Sequence, residues 1–439
     1  MPCRPIIQIG VSYFWIRMNT PLTKRIAVIG SGAAGITAAH MLQKIANVKL
    51  FEKNSRLGGH TNTVVIEDGP DAGTPVDTGF IVLNDRTYPL LHTLLDQLNC
   101  PVRFSDMSFG YSSEKTGFYY AGTGLAGLFA QKRNFFRPAH YRFLGEIISF
   151  GKKATRDLDQ GNVGDVSLSE YTRNLRPETL KNYIIPMAAA IWSASQDDIL
   201  LFPAKTLLEF WRNHGLLSLQ DRPRWQTVVG GSHAYLKAFK RSFCGQIALN
   251  SSIRAIRRTP DGVTLIHQDG YHEEFDDVVI ATHADEALPL LEAPTPDETT
   301  LLGVWKYQHN RTVLHTDTTF LPSNRKAWAS WNYIERKNDQ AYSPVPVTYY
   351  MNLLQGLKTH DDYCVTLNPD RDPARGTLIR DIAYHHPVYS REAVASQARL
   401  PSLQGNLHTW YCGSYFGYGF HEDAVRSGVE IAIQLGVGL

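Results

Sequence analysis

The chain has 439 residues, with 44 Lys and Arg against 42 Asp and Glu and a formal net charge of +2. Hydrophobic residues make up 43% and charged ones 20%, the balance of a folded chain, which excludes disorder as the main state. So small a basic excess excludes a dedicated nucleic-acid binder. The length predicts several domains or one large domain with insertions.

Residues 1–21 read as an N-terminal extension. The apolar stretch Pro5–Ile16 is preceded by a single basic residue, Arg4, and no small-residue cleavage site follows, so it lacks the marks of a secretion signal. Met18 is read as an alternative start. The five cysteines, Cys3, Cys100, Cys244, Cys364 and Cys412, include no CxxC pair, which argues against a zinc ribbon and a disulfide framework. Reduced thiols point to a cytoplasmic protein. No run of about 18 apolar residues predicts a spanning helix.

The strongest local signal lies at residues 24–60. Ile26–Ile29 is a short apolar run that reads as a buried parallel strand, and Gly30, Gly32 and Gly35 follow it as GxGxxG. Ile36–Lys44 is rich in helix formers, and Val48–Phe51 is a second strand closed by Glu52. In this arrangement Gly30 permits the tight turn, Gly32 lets the backbone approach a diphosphate, and Gly35 lets helix and strand pack closely. Ala33 and Ala34 sit at the helix start, where unpaired N–H groups meet an anion. Glu52 ends the second strand, where an acid can accept the hydroxyl protons of a ribose.

Glu52 is followed by Arg56, Gly58 and Gly59, and this segment resembles the E-x4-G-G extension of the large flavoprotein group that contains amine oxidases, phytoene desaturases and protoporphyrinogen oxidases. Val76–Phe80 looks like that group's D-x-G strand, with Asp77 and Gly79, and residues 84–98 look like the helix after it. QTVVGGSHAYL (226–236), the apolar strand Val278–Ala281 and the closing segment 409–432 extend the likeness. In the closing segment Gly413 takes the glycine position, Ser414 stands where an acid is customary, and His421, Glu422 and Ala424 follow a glycine loop. LGGHTNTV, VDTGFIVLN and GYGFHEDAVRSG further resemble bacterial amine-oxidase-like proteins often encoded beside cyclopropane-fatty-acid synthases.

The resemblance implies an α/β fold: a Rossmann-type FAD-binding domain of the GR2-like flavoprotein kind, with an inserted α+β substrate domain. The FAD-binding domain would be assembled from residues 22–100, 225–295 and 402–439, and the substrate domain from 101–224 and 296–401. FAD would be held without a covalent bond by Gly30, Gly32, Ala33, Ala34, Gly35, Glu52, Arg56, Gly58, Gly59, His60, Asp77, Gly79, Gly413, Ser414, His421, Glu422 and Ala424. Lys306 falls near a lysine that amine oxidases place by the flavin; an exposed strand lysine is the competing reading. His60, after the glycine pair, either donates a hydrogen bond or moves a proton beside the flavin, or simply packs. The histidines show no metal spacing, so no metal is expected, and His385 and His386 before Pro387 read as a turn.

Thr299–Thr319 and Lys326–Leu353 read as strands, and 125–215 as mostly helical. About half of Trp331, Asn332, Tyr349, Tyr350 and Asn352 can face a pocket, because side chains alternate along a strand. Residues 124–156 carry seven Lys and Arg among eight bulky apolar residues. That composition fits either an interfacial segment reversibly touching the anionic inner face of a membrane, or a helix pair covering the core. The expected function is FAD-dependent oxidation by hydride transfer from a fatty-acyl or other lipid substrate. The alternatives are a soluble amine substrate, a flavin-dependent isomerase, or a non-catalytic partner of a lipid methyltransferase.

Overall fold

The computed structural model describes residues 24–218, 220, 222–337 and 345–438; the expected N-terminal extension lies outside them. Five parallel strands form the central sheet, in the order Gln246–Ala248, Asn47–Phe51, Arg25–Ile29, Asp277–Ile280 and Thr409–Tyr411. The strands come from widely separated stretches of chain. Each is short and almost wholly apolar, as a strand covered on both faces must be. Ile26, Ala27, Val28, Leu50 and all of Val278–Ile280 have no exposed surface. The helices Ala33–Leu42 and His421–Gln434 lie together on one face. Gly428 brings them close: a Cβ there would lie 2.5 Å from the Ala34 carbonyl oxygen.

An antiparallel three-stranded sheet (Ile253–Thr259, Gly262–His267, His272–Phe275) follows in the chain. It is tied to the last central strand by a buried network. Arg258 pairs with Glu298 at 2.5 Å, and the Tyr411 hydroxyl donates to the same carboxylate at 2.6 Å.

A seven-stranded sheet builds the second half of the molecule. Its order is Leu378–Val388, Lys306–His315, Cys364–Leu367, Val347–Tyr350, Trp331–Glu335, Phe109–Ser113 and Tyr119–Ala121, so strands before residue 125 and after residue 300 share one sheet. Three local readings change. Thr299 lies in a helix, Pro296–Leu302, because Thr295 and Glu298 form a reciprocal cap around Pro296. The helix expected from residue 84 starts at Pro89, after a strand pair at Leu83–Asn84. His385 and His386 belong to the strand Leu378–Val388; it is an edge strand, where Pro387 costs no ladder hydrogen bond.

Residues 124–156 divide between core and surface. In the helix Pro138–Asp159, Phe143 and Phe150 are core and Tyr141 faces outward, as do Phe135 and Phe136 (89% exposed) just before it. No helix of the described residues is long and apolar enough to cross a membrane.

Candidate active site

One cavity of about 2030 Å³ runs between the parallel sheet and the seven-stranded sheet. Small-molecule pockets usually hold roughly 300–1,000 Å³, so this one has room for a large cofactor and a substrate together.

The glycine turn forms one end. Gly30 has φ of +99°, which lets the chain turn out of the first strand directly into the helix Ala33–Leu42. A Cβ on Gly32 would meet no atom within 4 Å, and a Cβ on Gly59 would come 3.4 Å from the Gly32 Cα. Two bare backbone stretches therefore face each other at a helix N-terminus, whose first N–H groups have no partner inside the helix. Glu52 is 5% exposed and lines the same end. Its Oε2 accepts from the Ser31 N–H at 3.1 Å and the Ser31 hydroxyl at 2.5 Å, and its Oε1 accepts from Asn54 N–H at 2.9 Å. Arg56 is anchored through the carbonyls of Gly59 (2.9 Å) and Thr61 (3.2 Å). This end fits a dinucleotide: glycine backbone for the diphosphate, an acid for the ribose.

From there the cavity passes His60, Gly79–Val82, Gly413, Ser414, His421 and Ala424. His421 stacks on Phe80 at 3.7 Å and shares a 3.0 Å hydrogen bond with the Thr61 hydroxyl. Burial pushes its imidazole down to about 3, so it stays neutral. The Gly413 N–H donates to the Ser427 hydroxyl at 2.9 Å.

Four expected site residues do not line the cavity. Gly35 is a packing residue: a Cβ there would sit 1.9 Å from the Gly30 carbonyl oxygen. Asp77 is fully buried and accepts from the Ser232 N–H (2.9 Å), the Ser232 hydroxyl (2.8 Å) and Gln355 Nε2 (2.8 Å), holding the glycine loop 230–231 in place. Glu422 caps a helix, its two oxygens accepting from the N–H groups of Leu90 (3.0 Å) and Leu91 (2.9 Å). Lys306 is exposed at the first position of its strand, and alternation puts Tyr307 on the cavity side. Trp331 and Tyr349 face the cavity; Asn332, Tyr350 and Asn352 do not.

Sequence reasoning named His60 but missed the residues that wall the cavity with it beside Gly79: Tyr384, His386, His283 and Tyr307. His60 lies within 5.0 Å of the Tyr384 ring, 5.3 Å of His386 and 5.8 Å of His283, and His283 stacks on Tyr307 at 4.3 Å. His60, His283 and His386 are all held neutral, chiefly by burial. His60 Nε2 is buried and has no hydrogen-bond partner among the described residues, and its ring lines the cavity. The available signal was period-2 spacing of Tyr384 and His386 along a strand. Beyond this wall the cavity becomes apolar, lined by Leu144, Ile147, Ile148, Tyr183, Met187 and Ile191, and reaches the surface near Phe104 (72% exposed) and Lys152.

A parallel-sheet nucleotide fold, a diphosphate cradle and a roofed cavity beyond it define the class of dinucleotide-binding proteins. Comparison with known proteins agrees. The sequence profile of the family described as "Flavin containing amine oxidoreductase" matches residues 33–351, and the chain belongs to that family. AofH of Mycobacterium tuberculosis, named as a flavin-containing monoamine oxidase, is 26% identical over 296 residues, 64% of this chain and 62% of AofH. The match thus spans less than two thirds of that relative. Among solved structures, a putrescine oxidase triple mutant superposes with a TM-score of 0.69 at 15% identity, covering 94% of this chain and 98% of the other. A fatty acid isomerase from P. acnes, titled as producing CLA, superposes with a TM-score of 0.67 at 15% identity, covering 95% and 100%. At these identities the two structures share the fold.

Proposed function

We propose that the protein is an FAD-dependent oxidoreductase that binds FAD without a covalent bond and oxidises an acyl chain. The observation that carries the substrate class is the helix side of the corridor, lined by Leu144, Ile147, Ile148, Tyr183, Met187 and Ile191. Such a lining gains about 25 cal/mol per Å² of apolar surface taken from water. Bound flavin supplies the hydride acceptor. The chain does the rest. Its glycine cradle and Glu52 fix the nucleotide end, His60 and its neighbours present polar atoms at the far end, and the apolar corridor positions the chain and excludes water. Cys412 is fully buried outside the cavity lining, which supports a flavin with no cysteine link.

The corridor opens beside the helix Pro138–Asp159, where Phe135, Phe136 and Tyr141 stand exposed among Lys132, Arg133, Arg137 and Arg142. Aromatic and basic groups on one outer face fit reversible contact with an anionic membrane surface, the source of an acyl substrate.

Anaerobic incubation with total membrane lipid, followed by flavin absorbance and lipid mass, tests this reading. Stoichiometric bleaching with a lipid lighter by two hydrogens supports it. Bleaching by soluble amines and not by lipid replaces the acyl substrate with an amine, and a lipid of unchanged mass with a moved double bond makes the protein an isomerase.

A further inference from the structure

Asn310 and His386 meet on the neighbouring strands Lys306–His315 and Leu378–Val388. Asn310 is fully buried. Its Nδ2 lies 3.0 Å from the Gln308 carbonyl oxygen and 3.0 Å from His386 Nδ1, while its Oδ1 accepts from Asn368 Nδ2 at 2.8 Å. A carbonyl oxygen can only accept, so the amide nitrogen must face Gln308, and the same nitrogen donates to His386 Nδ1. That ring nitrogen therefore carries no proton, and the neutral imidazole carries its proton on Nε2. Nε2 makes no hydrogen bond with a described residue, and the ring lines the cavity 5.3 Å from His60.

The ionisable groups facing His386 are His60, His283 and His385, and burial together with the like charge of His283 and His385 pushes its imidazole down to about 4. Nothing in this surrounding favours a second proton. Among the described residues no group of His, Cys, Asp and Glu is arranged to hold a metal ion. The cluster thus has the chemistry of a fixed donor. It is not a base, because its free nitrogen is already protonated.

We propose that Asn310 locks His386 as a neutral imidazole whose Nε2–H donates to an electron-rich atom of the flavin ring, favouring the reduced flavin. The proposal rests on the flavin reading above. His386 touches the cofactor in this account, and Asn310 is a positioning residue. The donor has a counterpart in the orphaned Nε2 of His60 on the same wall.

The test is ¹⁵N NMR of the histidine-labelled holoenzyme, with His386 assigned by loss of its signal in His386→Gln. A single Nε2–H tautomer that does not titrate between pH 8 and 5 is the expected result; an Nδ1–H tautomer, or titration in that range, overturns the lock. Flavin midpoint potential is the second readout. His386→Phe should be more negative than wild type, and His386→Gln, whose amide still donates, should lie between them. A bound flavin whose potential ignores His386→Phe overturns the donor role. A protein that binds no flavin at all overturns the cofactor reading instead, and leaves the tautomer measurement standing.

Discussion

Gly59 and Gly32 face each other with no side chain between them, 3.4 Å separating the Gly32 Cα from where a Gly59 Cβ would stand. Two glycines in contact across a turn that follows one strand and a loop that follows another leave a slot walled by backbone alone. Only a backbone wall presents N–H groups to a diphosphate without a side chain intervening.

The slot separates folding from binding. Gly32 has φ of −66°, which any residue adopts, and a Cβ there meets nothing. Gly32→Val should therefore keep apo stability within about 0.5 kcal/mol while lowering FAD affinity by tenfold or more. Gly35→Ala should do the reverse damage, because its Cβ would strike the Gly30 carbonyl; overpacking of this kind costs about 1–3 kcal/mol. Chemical denaturation with and without added FAD distinguishes the two.

Glu52→Ala should purify with depleted flavin. The carboxylate fixes Ser31 and Asn54 as well as facing the ribose site. Charge-assisted hydrogen bonds contribute about 1.5–3 kcal/mol each, and 1.4 kcal/mol is tenfold in affinity. Full flavin occupancy in the variant would assign the ribose to another residue.

Flavin should leave the protein completely on acid precipitation. The cysteine nearest the closing motif, Cys412, is sealed in the core with its thiol pushed up by burial, so it is neither ionised nor within reach. Yellow colour retained in the pellet would show a covalent link.

Stability should fall as pH drops from 7 toward 5. The folded-state value of His421 is depressed to about 3 from the usual 6.5, so the unfolded chain takes up the proton first. The stabilisation is present above about 6.5 and is lost as pH falls toward the folded value. His421→Asn should flatten the slope of unfolding free energy between pH 7 and 5, as read from urea melts. An unchanged slope would mean that His421 titrates normally in the folded protein.

The protein should sediment with anionic vesicles in low salt and release in high salt, since exposed charges are screened over about 8–10 Å at physiological ionic strength. Each basic residue near such a surface is worth about 1 kcal/mol. Lys153 is engaged by Asp157, so charge reversal is better placed at Lys132, Arg133, Arg137 and Arg142. The reversed protein should stay in the supernatant with its flavin intact. Absence of wild-type binding to any vesicle would remove the membrane from the proposal.

What could be read from sequence was whatever depends on neighbours in the chain. Gly30, Gly32 and Glu52 were legible because strand, turn and helix start put them together locally at one end of the cavity, whereas Gly58 and Gly59 came from the family resemblance. Asp77 and Glu422 were assigned to the cofactor on the strength of their motifs, yet their partners, Ser232 and the Leu90–Leu91 backbone, lie 155 and 331–332 residues away. No local pattern announces such bonds. Lys306 and Tyr307 differ by one position, and a one-residue uncertainty on a strand exchanges inside for outside. His386 was hidden by Pro387, which looks like a turn signal until the strand is known to lie at a sheet edge.

The central sheet has one consequence for how the protein comes into being. Its fifth strand, Thr409–Tyr411, and the helix His421–Gln434 that carries Gly428 against Ala34 come long after the first strand in the chain. The first strand has Asn47–Phe51 close by in sequence on one side, but on the other it must wait for the distant Asp277–Ile280. Contacts this distant in sequence slow folding, and the apolar strands stay open meanwhile. During synthesis the glycine turn therefore emerges well before the strand and helix that complete its surroundings. A chain truncated before residue 409 should therefore lack the strand and helix that complete the site, and should purify without cofactor.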